Sequence, residues 1–148
     1  MPSVTEVDFY THVQDKYEVA CALSAKAVEK GLRVLIYTPD SASSERMDQL
    51  LWTWQQLSFV PHCRSGSRLA PMTPVIVDHG TENLDRDDVL INLHPETPSF
   101  FSRFHRLVEI VGQDEDDRRQ ARERYKFYRD RGYDIRTHDL SSHQKGRR

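Results

Sequence analysis

The stretch from residue 114 to residue 132 carries the residues whose types and spacing most favour binding chemistry. It reads DEDDRRQARERYKFYRDRG, with four acids at its start and cations and aromatics after them. At about 100° per residue, Tyr125 lies between an apolar seam formed by Ala121 and Tyr128 and a row of cations. We call these cations the basic row: Arg118, Arg122, Lys126 and Arg129. The pattern predicts a site for an acidic ligand with an apolar end, and a solvated face of a docked helix is the alternative.

A second candidate surface is aromatic and spans residues 52–62, WTWQQLSFVPH. Two tryptophans and a phenylalanine this close together, separated by polar residues, cannot all face one core. At least one of them is therefore predicted to anchor an interface, because tryptophan is enriched at binding hot spots. The alternative is that all three fill the core beneath a short crossover.

The motifs that bind phosphate or perform catalysis are missing. The chain has neither G-x-x-x-x-G-K-[ST] nor G-x-G-x-x-G, and residues 11–16, which follow the first predicted strand, contain no glycine. Backbone amides there could not approach a pyrophosphate closely, so nucleotide binding is not expected. G-x-S-x-G, H-E-x-x-H and C-x-x-C are also missing. No catalytic residue is predicted, and the chain is expected to be a binding module.

Metal and cofactor sites are also not expected. His62 and Cys63 are adjacent, but no second Cys or His has the spacing of a zinc ligand. The acids and histidine of residues 78–88 could hold Mg²⁺ for phosphoryl chemistry: Asp78, His79, Asp85, Asp87 and Asp88. A solvated acidic turn is the favoured interpretation. A small metal-dependent phosphodiesterase remains the alternative function, together with direct binding of single-stranded DNA.

The overall charge argues against a protein that binds duplex DNA through its phosphates. The net charge is −2 over 148 residues, whereas such proteins are usually basic. The sequence contains no apolar run long enough to span a membrane, and we expect no signal peptide, because the residues MPSVTEVDFY lack a charged leader and an apolar stretch. Cys21 and Cys63 are far apart and resemble reduced cytosolic thiols. A soluble cytoplasmic protein is expected.

Strand and helix patterns alternate along the chain. They predict strands at 4–10, 33–37, 75–77, 89–93, 106–111 and 133–136, and helices at 16–30, 42–54, from about 98, and 114–132. Residues 57–62 are predicted to be extended and 63–73 to form a loop. The fold class is therefore α/β, a three-layer α/β/α arrangement with a mostly parallel sheet. Residues 1–140 are expected to form a single domain, and 141–148 a disordered basic tail.

Several short motifs resemble one known family. Trp52, the FVPH run that begins at Phe59, and ARERYK followed by Tyr128 and Arg129 occur in the order found in the chi subunit of bacterial DNA polymerase III. The runs VDFY, RVLIY and VLINL are similar to that family too. The resemblance extends from about Val4 to Asp139.

The resemblance implies a non-enzymatic accessory subunit of the clamp loader, acting at the bacterial replisome. It implies a nucleotide-binding-like fold without phosphate motifs. It also implies two partners: the psi subunit, and the acidic C-terminal tail of single-stranded DNA-binding protein, which ends in aspartates, a proline and a phenylalanine. DNA would be contacted only indirectly, and a helicase could use the psi-binding face.

The resemblance also implies roles for individual residues. Arg122 and Lys126 would hold the acids and the terminal carboxylate of the tail, with Arg118 and Arg129 contributing, and Tyr125 would line an apolar pocket. Trp52 and Phe59 would contact psi. The position of Arg118 is often lysine in the family.

Overall fold

The computed structural model describes residues 5–53, 62–64, 73–80 and 86–141, with the backbone alone at 62–64. The strands are β1 (Glu6–Val13), β2 (Val34–Tyr37), β3 (His62–Arg64), β4 (Val75–Asp78), β5 (Val89–Asn92), β6 (Arg106–Gly112) and β7 (Ile135–Asp139). The helices are α1 (Lys16–Glu29), α2 (Ser41–Thr53) and α3 (Glu115–Asp130), with a short 3-10 helix at Phe101–Arg103.

The described strands form one seven-stranded sheet in the order β3-β4-β2-β5-β6-β1-β7. Every pairing between neighbouring strands in that sheet is parallel. The predicted α/β class with a mostly parallel sheet is therefore confirmed. The central strands are buried on both faces, which explains their nearly continuous apolar sequences.

Helices cover both faces of the sheet and make the three predicted layers. On one face, α1 and α2 bury Cys21, Met47 and Leu51 against alternate strand residues such as Ile36. On the other face, α3 and the phenylalanines around the 3-10 helix pack on the intervening strand residues. Ala121 and Tyr128 are both buried there, so the predicted apolar seam of α3 does face the core.

Local side chains and glycines set the ends of α1 and α3. Asp15 and Asp114 are the N-caps, and their carboxylates accept hydrogen bonds from backbone N–H groups in the first turns of α1 and α3. Gly132, at a φ of 84°, ends α3 in a Schellman motif. In this motif the Gly132 N–H donates to the Arg129 carbonyl, and the Tyr133 N–H donates to the Tyr128 carbonyl. Gly31, at a φ of 78°, ends α1 in the same motif, since the Gly31 N–H donates to the Val28 carbonyl and the Leu32 N–H donates to the Ala27 carbonyl.

Four sequence predictions require correction. The helix predicted from about residue 98 is only the 3-10 helix Phe101–Arg103, because its phenylalanines pack into the core and do not form a helical stripe. β1 extends to Val13, and β7 begins two residues later than predicted and ends at Asp139. β3 pairs with β4 at the edge of the sheet, so Cys63 and Arg64 are in a strand that was predicted to be a loop. Pro61 and residues 57–60 lie outside the described residues.

Among the described residues, no helix has both the length and the apolarity that crossing a membrane requires. Cys21 is buried and unoxidised, and burial raises the pKa of its thiol to about 12, so this cysteine is structural and unreactive at neutral pH.

Candidate functional site

A pocket of about 330 Å³ opens where the carboxyl ends of β1 and β6 meet the first half of α3. β6 and β1 are neighbours, but the chain leaves β6 toward α3 on one face and leaves β1 toward α1 on the other. Adjacent parallel strands whose connections diverge in this way leave a crevice at their carboxyl ends, where ligands of α/β proteins bind. The pocket therefore occupies a position that the topology itself creates.

One wall of the pocket comes from α3 and contains three of the predicted site residues. Arg118, Arg122 and Tyr125 line it together with the buried Ala121. Tyr125 is 37% exposed, and its ring centroid lies 5.3 Å from that of Phe9. The tyrosine thus lies between solvent and the apolar interior, as the helical spacing predicts.

The opposite wall and the floor come from the strands. Their lining residues are Phe9, Thr11, His12, Val111, Gly112 and Thr137. Sequence reasoning did not single these residues out, because the pairing of β1 with β6 and β7, and not spacing along the chain, brings them together. The available signal was the rule that parallel sheets bind ligands at the carboxyl ends of their strands.

The four cations of the basic row differ in their surroundings. Arg122 makes no ion pair with any residue that the structure describes, and Arg118 has only a distant one, 3.9 Å from Glu115. Lys126 and Arg129 follow on the same side of α3 but are not among the lining residues. Arg129 lies 3.3 Å from the Asp130 carboxylate. The structure therefore brings Arg118, Arg122 and Tyr125 together at the pocket and leaves Lys126 and Arg129 farther along the helix.

A buried charge cluster, which sequence reasoning missed, lies beneath α3. Arg124 donates to Glu109 at 2.9 Å, Tyr128 donates to the same carboxylate at 2.6 Å, and Asn92 adds two contacts of 3.1 Å. Burial raises the pKa of Glu109, against the opposing effects of Arg124 and the hydrogen bonds. A glutamate inside the apolar run RLVEIV was the available signal. We call these four residues the Glu109 cluster.

The aromatic surface is only partly described. Trp52, near the end of α2, is 58% exposed, which agrees with the prediction that one of these aromatics does not fill the core. Phe59 and Trp54 lie outside the described residues, so the structure does not place them.

The stretch predicted as a possible magnesium site uses several of its acids locally. Asp78 accepts the Gly80 N–H at 3.1 Å, and Asp88 accepts the Arg33 N–H at 2.8 Å. Asp87 lies 4.0 Å from His105. Within the described part of the chain, no three metal-binding side chains converge, and Asp85 lies outside it. The described acids of this stretch therefore have structural partners, but Asp78 ends β4 and is buried, which differs from the predicted solvated turn at this residue.

A second crevice of the sheet lies between β2 and β5, where α2 leaves on one face and the 3-10 segment on the other. Its polar groups bond to one another. The hydroxyls of Thr38 and Ser44 are 2.6 Å apart, and the Ser44 hydroxyl lies 3.2 Å from Nδ1 of His79. Thr38 and Ser44 are fully buried. The described polar side chains at this position therefore have structural partners in one another.

Comparisons with known proteins agree with the motifs. The family described as "DNA polymerase III chi subunit, HolC" matches residues 4–136. The chain is 33% identical over 141 residues to the DNA polymerase III subunit chi of Pseudomonas aeruginosa, covering 93% of this chain and 98% of that protein. It is 37% identical over 124 residues to the subunit chi of Haemophilus influenzae, covering 83% and 86%. It is 33% identical over 134 residues to that of Escherichia coli, covering 90% and 89%. The chain therefore belongs to the DNA polymerase III chi subunit family.

Proposed function

We propose that this accessory subunit works without catalysis, by joining two partners. The pocket binds the acidic C-terminal tail of single-stranded DNA-binding protein, and the end of α2 binds the psi subunit or a helicase that uses the same face. DNA is reached through the tail-bearing partner, at the bacterial replisome in the cytoplasm.

The observation that carries the proposal is the pairing of an apolar pocket with two weakly paired arginines. The pocket is lined by Phe9, Val111 and Ala121, and Arg118 and Arg122 lie on the wall from α3. A terminal phenylalanine fits the apolar part, while its carboxylate accepts charge-assisted hydrogen bonds from the guanidinium groups. Binding of a chain terminus requires this combination of cations beside an apolar slot.

The remaining cations suit the acidic residues that precede the phenylalanine. Lys126 and Arg129 continue the basic row away from the pocket along α3. A tail whose last residue occupies the pocket would run along this row, so its aspartates would meet Lys126 and Arg129 in turn. Tyr125 lies between the apolar part of the site and the cations, and it would contact the terminal ring.

The psi-binding role rests on Trp52 and Phe59. Trp52 is largely exposed, which is unusual for so large an apolar side chain and typical of an interface anchor. Phe59 keeps its predicted role from the family resemblance.

The decisive test is an Arg122→Ala variant, titrated by fluorescence polarisation with a labelled peptide that ends in aspartates, proline and phenylalanine. We expect a loss of about 1.5–3 kcal/mol, the scale for a hydrogen bond to a charged group. Arg119→Ala is the matched control, since Arg119 is one turn away on α3, pairs with Asp116 at 3.1 Å and does not line the pocket. Equal affinities for the two variants would contradict the assignment of Arg122.

Two further measurements separate the proposal from its alternatives. Peptide affinity should fall as salt increases, because exposed charge pairs are screened. An oligonucleotide without the tail-bearing partner should bind weakly in a gel shift. Tight binding of the oligonucleotide, lost in Arg122→Ala, would instead favour direct recognition of single-stranded DNA.

A further inference from the structure

The wall of the pocket opposite α3 contains an irregularity in β1. Tyr10 pairs with Ile110 and Val13 pairs with Gly112, so three steps along β1 match two along β6. One extra residue of this kind is a β-bulge, and it reverses the alternation of side chains beyond it. Phe9 packs on the α3 side of the sheet, whereas Val13 packs on the α1 side. The bulge therefore allows Thr11 and His12 to line the pocket together.

The backbone of His12 lies in the left-handed region, which is uncommon for residues other than glycine. Its φ is 59°, and no other described residue except glycine has a positive φ. This left-handed region is disfavoured for residues with a side chain, and strained residues cluster at binding sites. This conformation places an imidazole in the lining of the pocket, with a side chain that is 47% exposed.

The charges around His12 are mixed. Its Nδ1 lies 3.2 Å from the Thr11 hydroxyl and 3.2 Å from the Asp139 carboxylate on β7. The backbone N–H of Ser141 lowers the pKa of Asp139, which is therefore ionised near neutral pH. Charged groups on the other elements at this end of the sheet include Arg118 and Arg122, which line the same pocket, and the Lys16–Asp117 ion pair beside Gly112. They also include the acids that begin α1 and α3: Asp15, Asp114 and Glu115.

We propose that His12 is a specificity-determining residue of the pocket, whose protonated form favours acidic peptides, so that peptide binding takes up a proton. The inference rests on the proposed function of the pocket. Neutral His12 leaves the Asp139 charge in place, and that charge repels a ligand carboxylate. Protonated His12 offsets Asp139 and adds a cation across the pocket from Arg118 and Arg122. Both effects change affinity in the same direction, and histidine is the side chain that changes charge between pH 5 and 8.

The test is a calorimetric titration with an N-acetylated peptide that ends in three aspartates, a proline and a phenylalanine. Affinity is compared at pH 5.5 and 8, and the enthalpy is measured between these values, near pH 7, in two buffers of unequal ionisation enthalpy, because proton uptake is largest where a histidine is partly protonated. The aspartates stay ionised over most of this range, and acetylation removes the terminal amine. We expect affinity to be about two- to fivefold higher at pH 5.5, the scale of a partly exposed charge pair. Buffer-dependent enthalpies should show uptake of a fraction of a proton.

The matched variant is His12→Asn, because asparagine tolerates the left-handed conformation but does not titrate. It should remain folded by circular dichroism and lose most of the pH dependence, and His12→Gly should do the same. His138→Gln is the control, since His138 pairs with Asp8 and stacks on Tyr10 outside the pocket. This control should keep the pH dependence.

The outcomes separate this inference from the proposed function. Binding by the wild type without proton uptake, or an unchanged pH dependence in His12→Asn, would overturn the role of His12 alone. No peptide binding at either pH would overturn the proposed function, and the role of His12 with it.

Discussion

Arg122 and Arg124 lie two residues apart on α3 but in opposite environments, which shows how much burial decides at the scale of single residues. Arg122 is exposed beside the pocket, whereas Arg124 is 4% exposed and bonds to the fully buried Glu109. Arg124 also donates to the Pro95 carbonyl at 2.6 Å. The Glu109 cluster therefore fixes the rotation of α3, which in turn presents Arg118, Arg122 and Tyr125 to the pocket.

Arg124→Ala should destabilise the protein by about 3–5 kcal/mol in urea denaturation, because it leaves the buried Glu109 charge unpaired. The pKa of Glu109 in the folded state is already raised by burial, and loss of Arg124 removes an effect that lowers it. A raised carboxyl pKa means that stability is greatest at low pH and is lost as pH rises through the folded-state pKa. The defect should therefore be smaller at pH 4 than at pH 8.

Arg119→Ala is the comparison for this prediction, since it breaks an exposed pair with Asp116 and should change stability by about 1 kcal/mol or less. Similar losses in the two variants, or a loss in Arg124→Ala that grows as pH falls, would contradict the account of the Glu109 cluster.

At the scale of elements, α3 is positioned by its two ends as well as by its buried face. Asp114 caps its first turn. Asp117 accepts a hydrogen bond of 2.6 Å from the Gly112 N–H and forms an ion pair with Lys16 at 3.1 Å. These contacts join the start of α3 to β6 and α1. The Schellman motif at Gly132 then turns the chain toward β7, whose Thr137 lines the pocket.

Gly132→Ala should destabilise the protein by about 1–2 kcal/mol, the cost of a left-handed conformation for a residue with a Cβ. A Cβ at this position meets no atom within 4 Å, so the backbone conformation alone is tested. Gly132→Asn is the control, because asparagine tolerates the left-handed region better. Thermal unfolding should rank the proteins wild type, Asn variant, Ala variant, and equal stability of all three would exclude strain at this turn.

For the whole molecule, the topology places the pocket and Trp52 at opposite ends of the strands and on opposite faces of the sheet. The pocket lies at the carboxyl ends of β1 and β6, on the α3 side. α2 starts after the carboxyl end of β2 and leads to the amino end of β3. Trp52, near the end of α2, therefore lies toward the amino ends of the strands, on the face of the sheet that α1 and α2 cover. Two partners could therefore bind at the same time without contact between their sites.

Trp52→Ala should weaken psi binding while leaving affinity for the acidic peptide within about twofold of wild type, and Arg122→Ala should do the reverse. In the double variant each loss should match that of the corresponding single variant within about 0.5 kcal/mol, because the sites share no partner residues. Pull-downs with psi and peptide titrations would measure both effects. A loss of peptide affinity in Trp52→Ala would show that the surfaces are coupled.

Local signals in the sequence determined much of this protein. The caps Asp15 and Asp114, the stops at Gly31 and Gly132, the buried strands and the helical spacing of α3 all depend on neighbouring residues. Sequence alone therefore predicted the α/β class and the side of α3 that carries Arg118, Arg122 and Tyr125. The missing phosphate motifs likewise argued against nucleotide binding without any structure.

Tertiary structure decided what no local pattern contains. Phe9 and His12 come to face Arg122, about a hundred residues later in the chain, only because β1 pairs side by side with β6, and pairing of β7 with β1 adds Thr137. The bulge that turns His12 into the pocket is a mismatch between two strands, and neither strand shows it by itself. Arg124 has the same chemistry as Arg122 in the sequence, and only packing against Glu109 gave it a structural role. Residue type and spacing thus determined the helix face, while non-local strand pairing determined the pocket that this face completes.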